Sequence, residues 1–512
     1  LLGLNVKITG NFLGVFKRFE GQNVVTAINQ GSGVFINNVP NVLVGAFSSE
    51  EAKNVIAANR DHGIKIVGPD SQNNIVNHSV IGTDEDSTLN IGNGEDGINI
   101  ESAGNNTIGD FADDPDRAPT IGGNQRNGIA LINNSVFNTV KGALVGVNRL
   151  FKSTLAVPNQ QNGIRIENSS NNRIGDALTP IRNFIGANQK NGVLLNGPGA
   201  QLNQIFNNRI GGSGLGNQLH GVHITGGANN NAVGGDVPGQ SNQIFENGGN
   251  GILIDEFEEG QRRKAGRLEG TQQQTVRNSI GRNEISGNAL LGIDIGEPGR
   301  TENDPEDADE GPNRGQNYPE LQDLRIDQFN RVLVDARVDS HPDNQNYGVK
   351  GIRIDFYKSD LLGQGSEYLT SRFWTESDFL TDLFVIYDLG DATELGITVF
   401  DRITAVATDA DGNSSEFFPV SFGPTSAGVS VSGRVMTADG RPVQQVTIEI
   451  ADTDGNVRRV LTNNFGYYVI ENVAAGRNYV LSAKSRQWRF SPPNRLLSVT
   501  DPIDDANFTA ME

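Results

Sequence analysis

A Gly-Ile-x-Ile block recurs nine times in the first three hundred residues, and no other feature restricts the fold of this chain as much. It reads Gly33-Val-Phe-Ile36, Gly63-Ile-Lys-Ile66, Gly97-Ile-Asn-Ile100, Gly128-Ile-Ala-Leu131 and Gly163-Ile-Arg-Ile166, then Gly192-Val-Leu-Leu195, Gly221-Val-His-Ile224, Gly251-Ile-Leu-Ile254 and Gly292-Ile-Asp-Ile295. Successive glycines stand 29 to 35 residues apart, with a last interval of 41. A fixed period of this size marks a repeat architecture, in which each unit buries its apolar face only against its neighbours. Between the blocks lie short apolar pieces bordered by Asn and Gly, such as Asn73-Asn-Ile-Val76, Asn171-Asn-Arg-Ile-Gly175 and Asn242-Gln-Ile-Phe245. Each alternates apolar and polar residues, the pattern of a strand with one buried face. No stretch between them has the length and 3.6-residue period of a helix. One period therefore holds about three short strands, with Asn and Gly at the corners because they tolerate the left-handed backbone region. Such coils stack as a parallel β-helix, and at roughly 4.8 Å per strand nine coils span about 40 Å. Asn-Asn pairs at equivalent corners are placed to form amide ladders along the axis.

Composition excludes several functions. The 512 residues carry 61 Asp and Glu against 41 Lys and Arg, a formal charge of −20. That balance argues against a nucleic-acid partner, which needs a basic stripe for the phosphates. With no Cys, disulfides, thiolate metal sites and cysteine nucleophiles are all excluded. No apolar run approaches the roughly 20 residues of a membrane span. The chain opens on Leu1-Leu-Gly-Leu-Asn-Val6 without an initiator Met, which reads as a processed or truncated product.

The nine blocks, the Asn-x-Ile-Gly pieces and the loop Ile81-Gly-Thr-Asp-Glu-Asp86 resemble right-handed parallel β-helix repeat proteins of bacteria, in the pectate-lyase-like superfamily. Asn303-Asp-Pro-Glu-Asp-Ala-Asp-Glu-Gly-Pro-Asn313 is similar to the segment that closes many such helices. The resemblance covers about residues 1–316. It implies the fold and not an activity, since the scaffold serves lyases, hydrolases, epimerases, adhesins and structural proteins.

From Tyr318 the strands lengthen, as in Lys350-Gly-Ile-Arg-Ile-Asp-Phe-Tyr357 and Arg402-Ile-Thr-Ala-Val-Ala-Thr408. Their spacing predicts a β-sandwich, which resembles the immunoglobulin-like modules that follow such β-helices. The apolar stretch Phe379 to Phe400 is expected to supply much of its core. Val431-Ser-Gly-Arg-Val435, Asp439-Gly-Arg-Pro442, Asn464-Phe-Gly-Tyr-Tyr468 and Phe490-Ser-Pro-Pro493 resemble the carboxypeptidase regulatory-like family of small sandwiches. The expected fold is thus all-β. A parallel β-helix over 1–300 is followed by an acidic linker or cap over 301–316 and an Ig-like sandwich over 317–423. A linker over 424–428 then leads to a carboxypeptidase regulatory-like sandwich over 429–512.

Candidate chemistry falls on the outward positions of the Gly-Ile-x-Ile strands. If Ile64 and Ile66 point inward, one outward column reads Phe35, Lys65, Asn99, Ala130, Arg165, Leu194, His223, Leu253, Asp294. The column two residues on includes Glu101, Glu167 and Asp255. A glycosidase needs two carboxylates flanking one bond; the columns offer Asp255 beside Asp294, with His223 one coil before and Arg165 with Glu167 two further coils back. These five residues form the candidate glycan-binding or acid/base patch. His220 and His223, three apart, are expected on opposite faces of a strand and so make a poor metal pair. His62, in Asp61-His-Gly63, reads as a turn residue. Asp304, Asp307 and Asp309 are weak calcium candidates, because hard cations want clustered carboxylates; no other cofactor is implied.

Nearly every signal concerns architecture, so the expectation is a non-enzymatic structural or adhesive protein of the bacterial surface. Its apolar, strand-like beginning suggests head-to-tail self-association, because an uncovered coil edge pairs with another chain. Surface polysaccharide is the other expected partner. The competing readings are a carbohydrate-active enzyme (lyase, hydrolase or epimerase) and a non-catalytic glycan binder.

Overall fold

The computed structural model describes residues 6–16, 25–26, 28–47, 53–109, 117–148, 156–177, 181–257, 274–308, 310–342, 351–421, 429–452, 457–473, 477–499 and 503–511. The chain forms two compact units. One comprises Leu1–Gln322, Val334–Leu389 and Arg402–Val420; the other comprises Asp323–Leu333, Gly390–Asp401 and Ser421–Glu512. The described chain is almost entirely strand, and no helix in it is long and apolar enough to cross a membrane.

The first unit holds three parallel sheets of nine strands each. The Gly-Ile-x-Ile blocks make one sheet, from Val34–Asn37 to Ile293–Ile295. The second runs from Val6–Ile8 to Ser279–Gly281, and the third from Phe12–Leu13 to Glu284–Ser286. Each coil contributes one strand to each sheet, as a parallel β-helix requires. Register is strict: Ile64 pairs with Ile98, Ile98 with Ile129, and Ile129 with Ile164. The inward Ile, Val and Leu of all three sheets form one continuous core. The repeat glycine is fixed by close approach. A Cβ on Gly128 would lie 2.6 Å from Val145 Cγ1 and 2.7 Å from the carbonyl oxygen of Gly163 on the next coil.

Asparagine has two separate duties. In each pair Asn73-Asn74, Asn105-Asn106 and Asn171-Asn172 the first residue turns the corner at φ of 57°. The second donates its side-chain amide to the equivalent Asn one coil on. This ladder climbs from Asn74 through Asn106, Asn138, Asn172, Asn203 and Asn231 to Asn278, at 3.0 to 3.2 Å per rung. A second ladder uses the Asn four residues before each repeat glycine. It joins Asn29, Asn59, Asn93, Asn124, Asn159, Asn188, Asn217, Asn247 and Asn288 at 2.7 to 2.9 Å. Apart from the exposed Asn29, these amides are buried, so their rungs satisfy groups whose desolvation would otherwise cost about 1–3 kcal/mol apiece.

The last coil is closed by side chains of the sandwich that follows. Tyr357 Oη, Asp360 Oδ2, Ser414 Oγ and Glu416 Oε1 accept the backbone N–H groups of Arg282, Gly287, Ile280 and Ile295 at 2.8 to 3.0 Å. Tyr357, Val406 and Phe417 extend the apolar core of the coils. Within the segment expected as linker or cap, Asn313 takes the next position of the first ladder, its Oδ1 accepting the N–H of Asn278 at 3.0 Å.

This sandwich has a three-stranded sheet (Glu320–Ile326, Arg331–Arg337, Val385–Asp391) and a four-stranded one (Gly365–Trp374, Ile352–Ser359, Arg402–Thr408, Val420–Ser421). Its buried residues include Val334, Ala336, Ile354, Phe356, Trp374 and Ala405. The expectation that Phe379 to Phe400 fills the core is corrected. The short helix Glu376–Thr381 buries no residue, and Leu380, Leu383, Ile386 and Phe400 are exposed, Phe400 to 93%. Only Tyr387, Leu389, Ala392 and Ile397 of that stretch are buried apolar residues.

The second unit contains two four-stranded sheets. One is Tyr467–Val473, Val429–Thr437, Phe508–Met511 and Arg489–Ser491; the other is Val457–Leu461, Thr447–Asp452, Arg477–Lys484 and Asn494–Val499. Val431, Val435, Ile448, Ile450, Leu481 and Phe508 lie in the core they share.

Candidate functional site

The strand register aligns the outward columns as the repeat predicts: Lys65 beside Asn99, Arg165 beside Leu194, Leu194 beside His223, and Leu253 beside Asp294. Most of the first column is not solvent-facing, however, although Phe35 at its start is exposed. Asn99, Ala130, Leu194, His223, Leu253 and Asp294 are all buried. A buried charge requires a partner, and the charges in these columns have them. Lys65 Nζ meets Glu101 at 3.1 Å, and Arg165 Nη2 meets Glu167 at 3.0 Å. The Lys65 bond holds the Glu101 carboxyl below its ordinary range, with a further contribution from Asn133.

Of the five candidate residues, the structure joins His223 to Asp255 and Arg165 to Glu167. The His223 Nε2 to Asp255 Oδ1 distance is 2.9 Å, and Asp255 Oδ1 also accepts the N–H of Phe257 at 3.3 Å. Asp294 is engaged elsewhere, its Oδ2 accepting the side-chain amide of Asn250 at 2.7 Å. A cavity of about 270 Å³ opens beside Asp255, with Glu256, Glu297 and Thr301 in its wall. Burial raises the Glu256 carboxyl, while the N–H and hydroxyl of Thr275, both donating to it, pull the other way. An imidazole paired with a carboxylate is the arrangement of a general base. Here the ring of His223 is only 2% exposed and is not among the described residues lining the cavity.

Sequence reasoning missed the role of the residue before seven of the nine repeat glycines, from His62 to Asn250. Its side-chain acceptor takes the backbone N–H of the same position on the neighbouring coil. Asp96 accepts from Asn127 at 3.0 Å; Asn127 and Asn162 accept from Asn162 and Asn191 at 3.2 Å; Asn191 accepts from His220 at 3.1 Å. Two histidines serve as rungs through Nδ1: His62 accepts the N–H of Asp96 at 3.2 Å, and His220 that of Asn250 at 3.0 Å. The signal was present in the spacing, as Asn or His preceding the repeat Gly in six of the nine blocks and Asp96 in a seventh. His220 also corrects the opposite-faces expectation. It precedes the strand Val222–Thr225, so strand alternation does not apply, and its ring lies 5.5 Å from that of His223.

His62, Glu95 and Asp96 bring ligating atoms within 4.8 Å of one another. Their lone pairs are largely committed. His62 Nδ1 is a rung, Asp96 Oδ1 accepts from Asn127 and Oδ2 from Asn99, and Glu95 pairs with Arg126 at 2.9 Å. Burial pushes the His62 imidazole below its ordinary value despite Asp96 and Glu95. Of the calcium candidates, Asp304 Oδ2 accepts the N–H of Ala308 and Asp307 Oδ1 that of Asn317, which are turn-closing roles. Asp309 lies outside the described residues.

Residues 430–491 match the Carboxypeptidase regulatory-like domain family, in agreement with the resemblance seen there. No curated protein matches the chain. Among solved structures, shaft pilin spaA from Lactobacillus rhamnosus GG is 12% identical over 38% of this chain and 98% of that one, with a TM-score of 0.14. A C-terminal fragment of pilus adhesin SpaC from the same organism is 9% identical over 33% and 92%, with a TM-score of 0.17. A bacterial adhesin from Mobiluncus mulieris containing intramolecular disulfide, isopeptide and ester bond cross-links is 10% identical over 38% and 96%, at 0.15. At TM-scores of this size the likenesses carry no argument about fold or role.

Proposed function

We propose that the chain is a non-enzymatic structural or adhesive protein of the bacterial cell exterior. The observation that supports this reading is the continuity of the buried amide ladders, which run coil after coil and end on Gln364 of the adjoining sandwich and on Asn313 of the segment before it. The side chains with catalytic potential, His223 and Asp255 foremost, are bonded within the same stack. A stack in which every coil is tied to the next persists outside a cell without disulfides.

Head-to-tail self-association belongs to this proposal. Own-chain side chains cover the strand edges of the last coil. A second copy would therefore have to pair elsewhere than at that covered edge. Light scattering and negative-stain microscopy of the full-length chain over a range of concentrations should show end-to-end particles. Strictly monomeric behaviour throughout overturns the assembly. Product release from a polysaccharide panel, lost in Asp255→Ala, overturns the non-enzymatic reading.

A further inference from the structure

A groove of about 780 Å³ lies between the β-helix and the first sandwich, with both walls in the same compact unit. It falls within the size range of ligand sites, roughly 300–1,000 Å³. The β-helix wall contributes Asp236, Val237 and Gln240; the sandwich wall contributes Arg353, Phe373 and the turn Asp409–Gly412.

Most of the charges in this groove are balanced from within, while Arg282 lies over the Tyr368 ring at 4.8 Å. Arg353 Nε meets Asp355 Oδ2 at 3.1 Å, and its Nη1 bonds Asp236 across the groove. Asp355 is buried and also accepts the hydroxyl of Ser371 at 2.6 Å. Asp411 is shared between Arg277 at 3.7 Å and Arg314 at 3.5 Å. An ionic ligand would have to displace one of these partners, and breaking such a pair is costly. What the groove still presents is neutral or acceptor chemistry. The Asp236 carboxylate is 71% exposed, the Gln240 amide lies on one side with its Oε1 also accepting the N–H of Val237 at 3.3 Å, and Phe373 is 42% exposed on the other. The floor at Gly412 is open, since a Cβ there would meet nothing closer than 3.8 Å.

Exposed acceptors beside an exposed aromatic face match one common class of molecule. A sugar ring offers hydroxyl donors around its edge and an apolar C–H face that covers an aromatic ring. We propose that this groove binds a short stretch of a neutral glycan, with Phe373 under one ring face and Asp236 and Gln240 taking its hydroxyls. The inference deepens the adhesive part of the proposed function. Its failure is separable from failure of that reading, because it leaves particle assembly and the catalytic assay unaffected.

The test is calorimetry on the full-length chain with neutral gluco-, manno-, xylo- and galacto-oligosaccharides, and with oligogalacturonate as the charged comparison. Two variants accompany the wild type. Phe373→Ala removes the ring, and Ala410→Trp fills the groove from a partly exposed turn position. Saturable binding of at least one neutral oligosaccharide is expected, weakened tenfold or more in both variants at an unchanged unfolding temperature. No binding across the neutral series overturns the proposal, as does binding confined to oligogalacturonate. Neutral binding that is equally strong in Ala410→Trp overturns it as well, even if Phe373→Ala alters stability.

Discussion

The side-chain amide of Asn288 donates to Oε1 of Gln364 at 2.9 Å, and Gln364 returns its own amide to the carbonyl oxygens of Asn288 and Leu290 at 2.7 and 2.9 Å. A glutamine of the sandwich thus occupies the position a tenth coil would fill with asparagine. The repeat ends without leaving the backbone N–H of Asn288 unsatisfied, because a residue 76 positions later supplies the missing rung.

Gln364→Ala should therefore act on the last coil first. It strips the buried backbone N–H of Asn288 of its acceptor and removes one of the three acceptors of its side-chain amide, which keeps the carbonyl oxygens of Ile244 and Ser286. The expected cost is about 1–3 kcal/mol. Hydrogen exchange should show faster exchange over residues 284–295 and unchanged protection around Ile129–Ile132. Uniform loosening of all coils would contradict the capping role.

A rung in the middle of the stack should cost more. Asn159 Oδ1 accepts both the backbone N–H and the amide of Asn124, at 3.2 and 2.9 Å, and its own amide donates to Ile121 and Asn188. Asn159→Ala orphans donors on one side and acceptors on the other, with no solvent to replace them. The loss should exceed about 3 kcal/mol, since more than one buried group is left unpaired. Urea denaturation that places Asn159→Ala within 1 kcal/mol of wild type, on the order of one hydrogen bond, would argue against the ladder as a source of stability.

These rungs show how far the sequence could be read. The period, the three strands per coil and the inward Ile64, Ile66, Ile98 and Ile100 follow from alternation alone. The Asn four residues before each glycine was legible as a spacing, but a hydrogen-bonded stack and a polar loop share that spacing. Burial of the outward column at Leu194 and His223 was not legible, because period-2 alternation assigns faces and does not say what covers them. The cap was the least legible part. Gln364, Ser414 and Glu416 are ordinary polar residues whose role exists only once chain segments more than 70 residues apart meet. Phe379 to Phe400 misled for the opposite reason. Its apolar residues carry no clean period, and hydrophobicity without a period does not fix a buried face.

His62 makes one rung sensitive to acid. Its Nδ1 accepts the N–H of Asp96 and can do so only while unprotonated there. Burial keeps the folded-state imidazole below its ordinary 6.5, so on acidification the unfolded chain takes up a proton before the folded one does. The stabilisation is complete above about pH 6.5 and is lost as pH falls from there towards the folded-state value. His62→Asn keeps an acceptor of the kind used at Asn127, Asn162 and Asn191 and removes the titration. Urea midpoints between pH 5 and 7.5 should fall less steeply on acidification in this variant than in wild type; identical slopes would remove His62 as the cause.

Glu416 should tilt stability the other way. Burial pushes its carboxyl up to about 8, although the N–H groups of Ile295 and Thr301 donating to it favour the charged form and Asp294 nearby opposes it. The folded chain therefore holds a proton that the unfolded chain releases near 4.5. The stabilisation is fully present below pH 4.5 and is lost as pH rises towards about 8, with a limiting slope of about 1.4 kcal/mol per unit. Glu416→Gln cannot titrate, and its single carboxamide oxygen satisfies only one of the two N–H groups. The variant should be less stable than wild type at pH 5, and the difference should shrink steadily to pH 8. A constant difference across that range would mean that Glu416 is already ionised in the folded protein and that its two hydrogen bonds outweigh its burial.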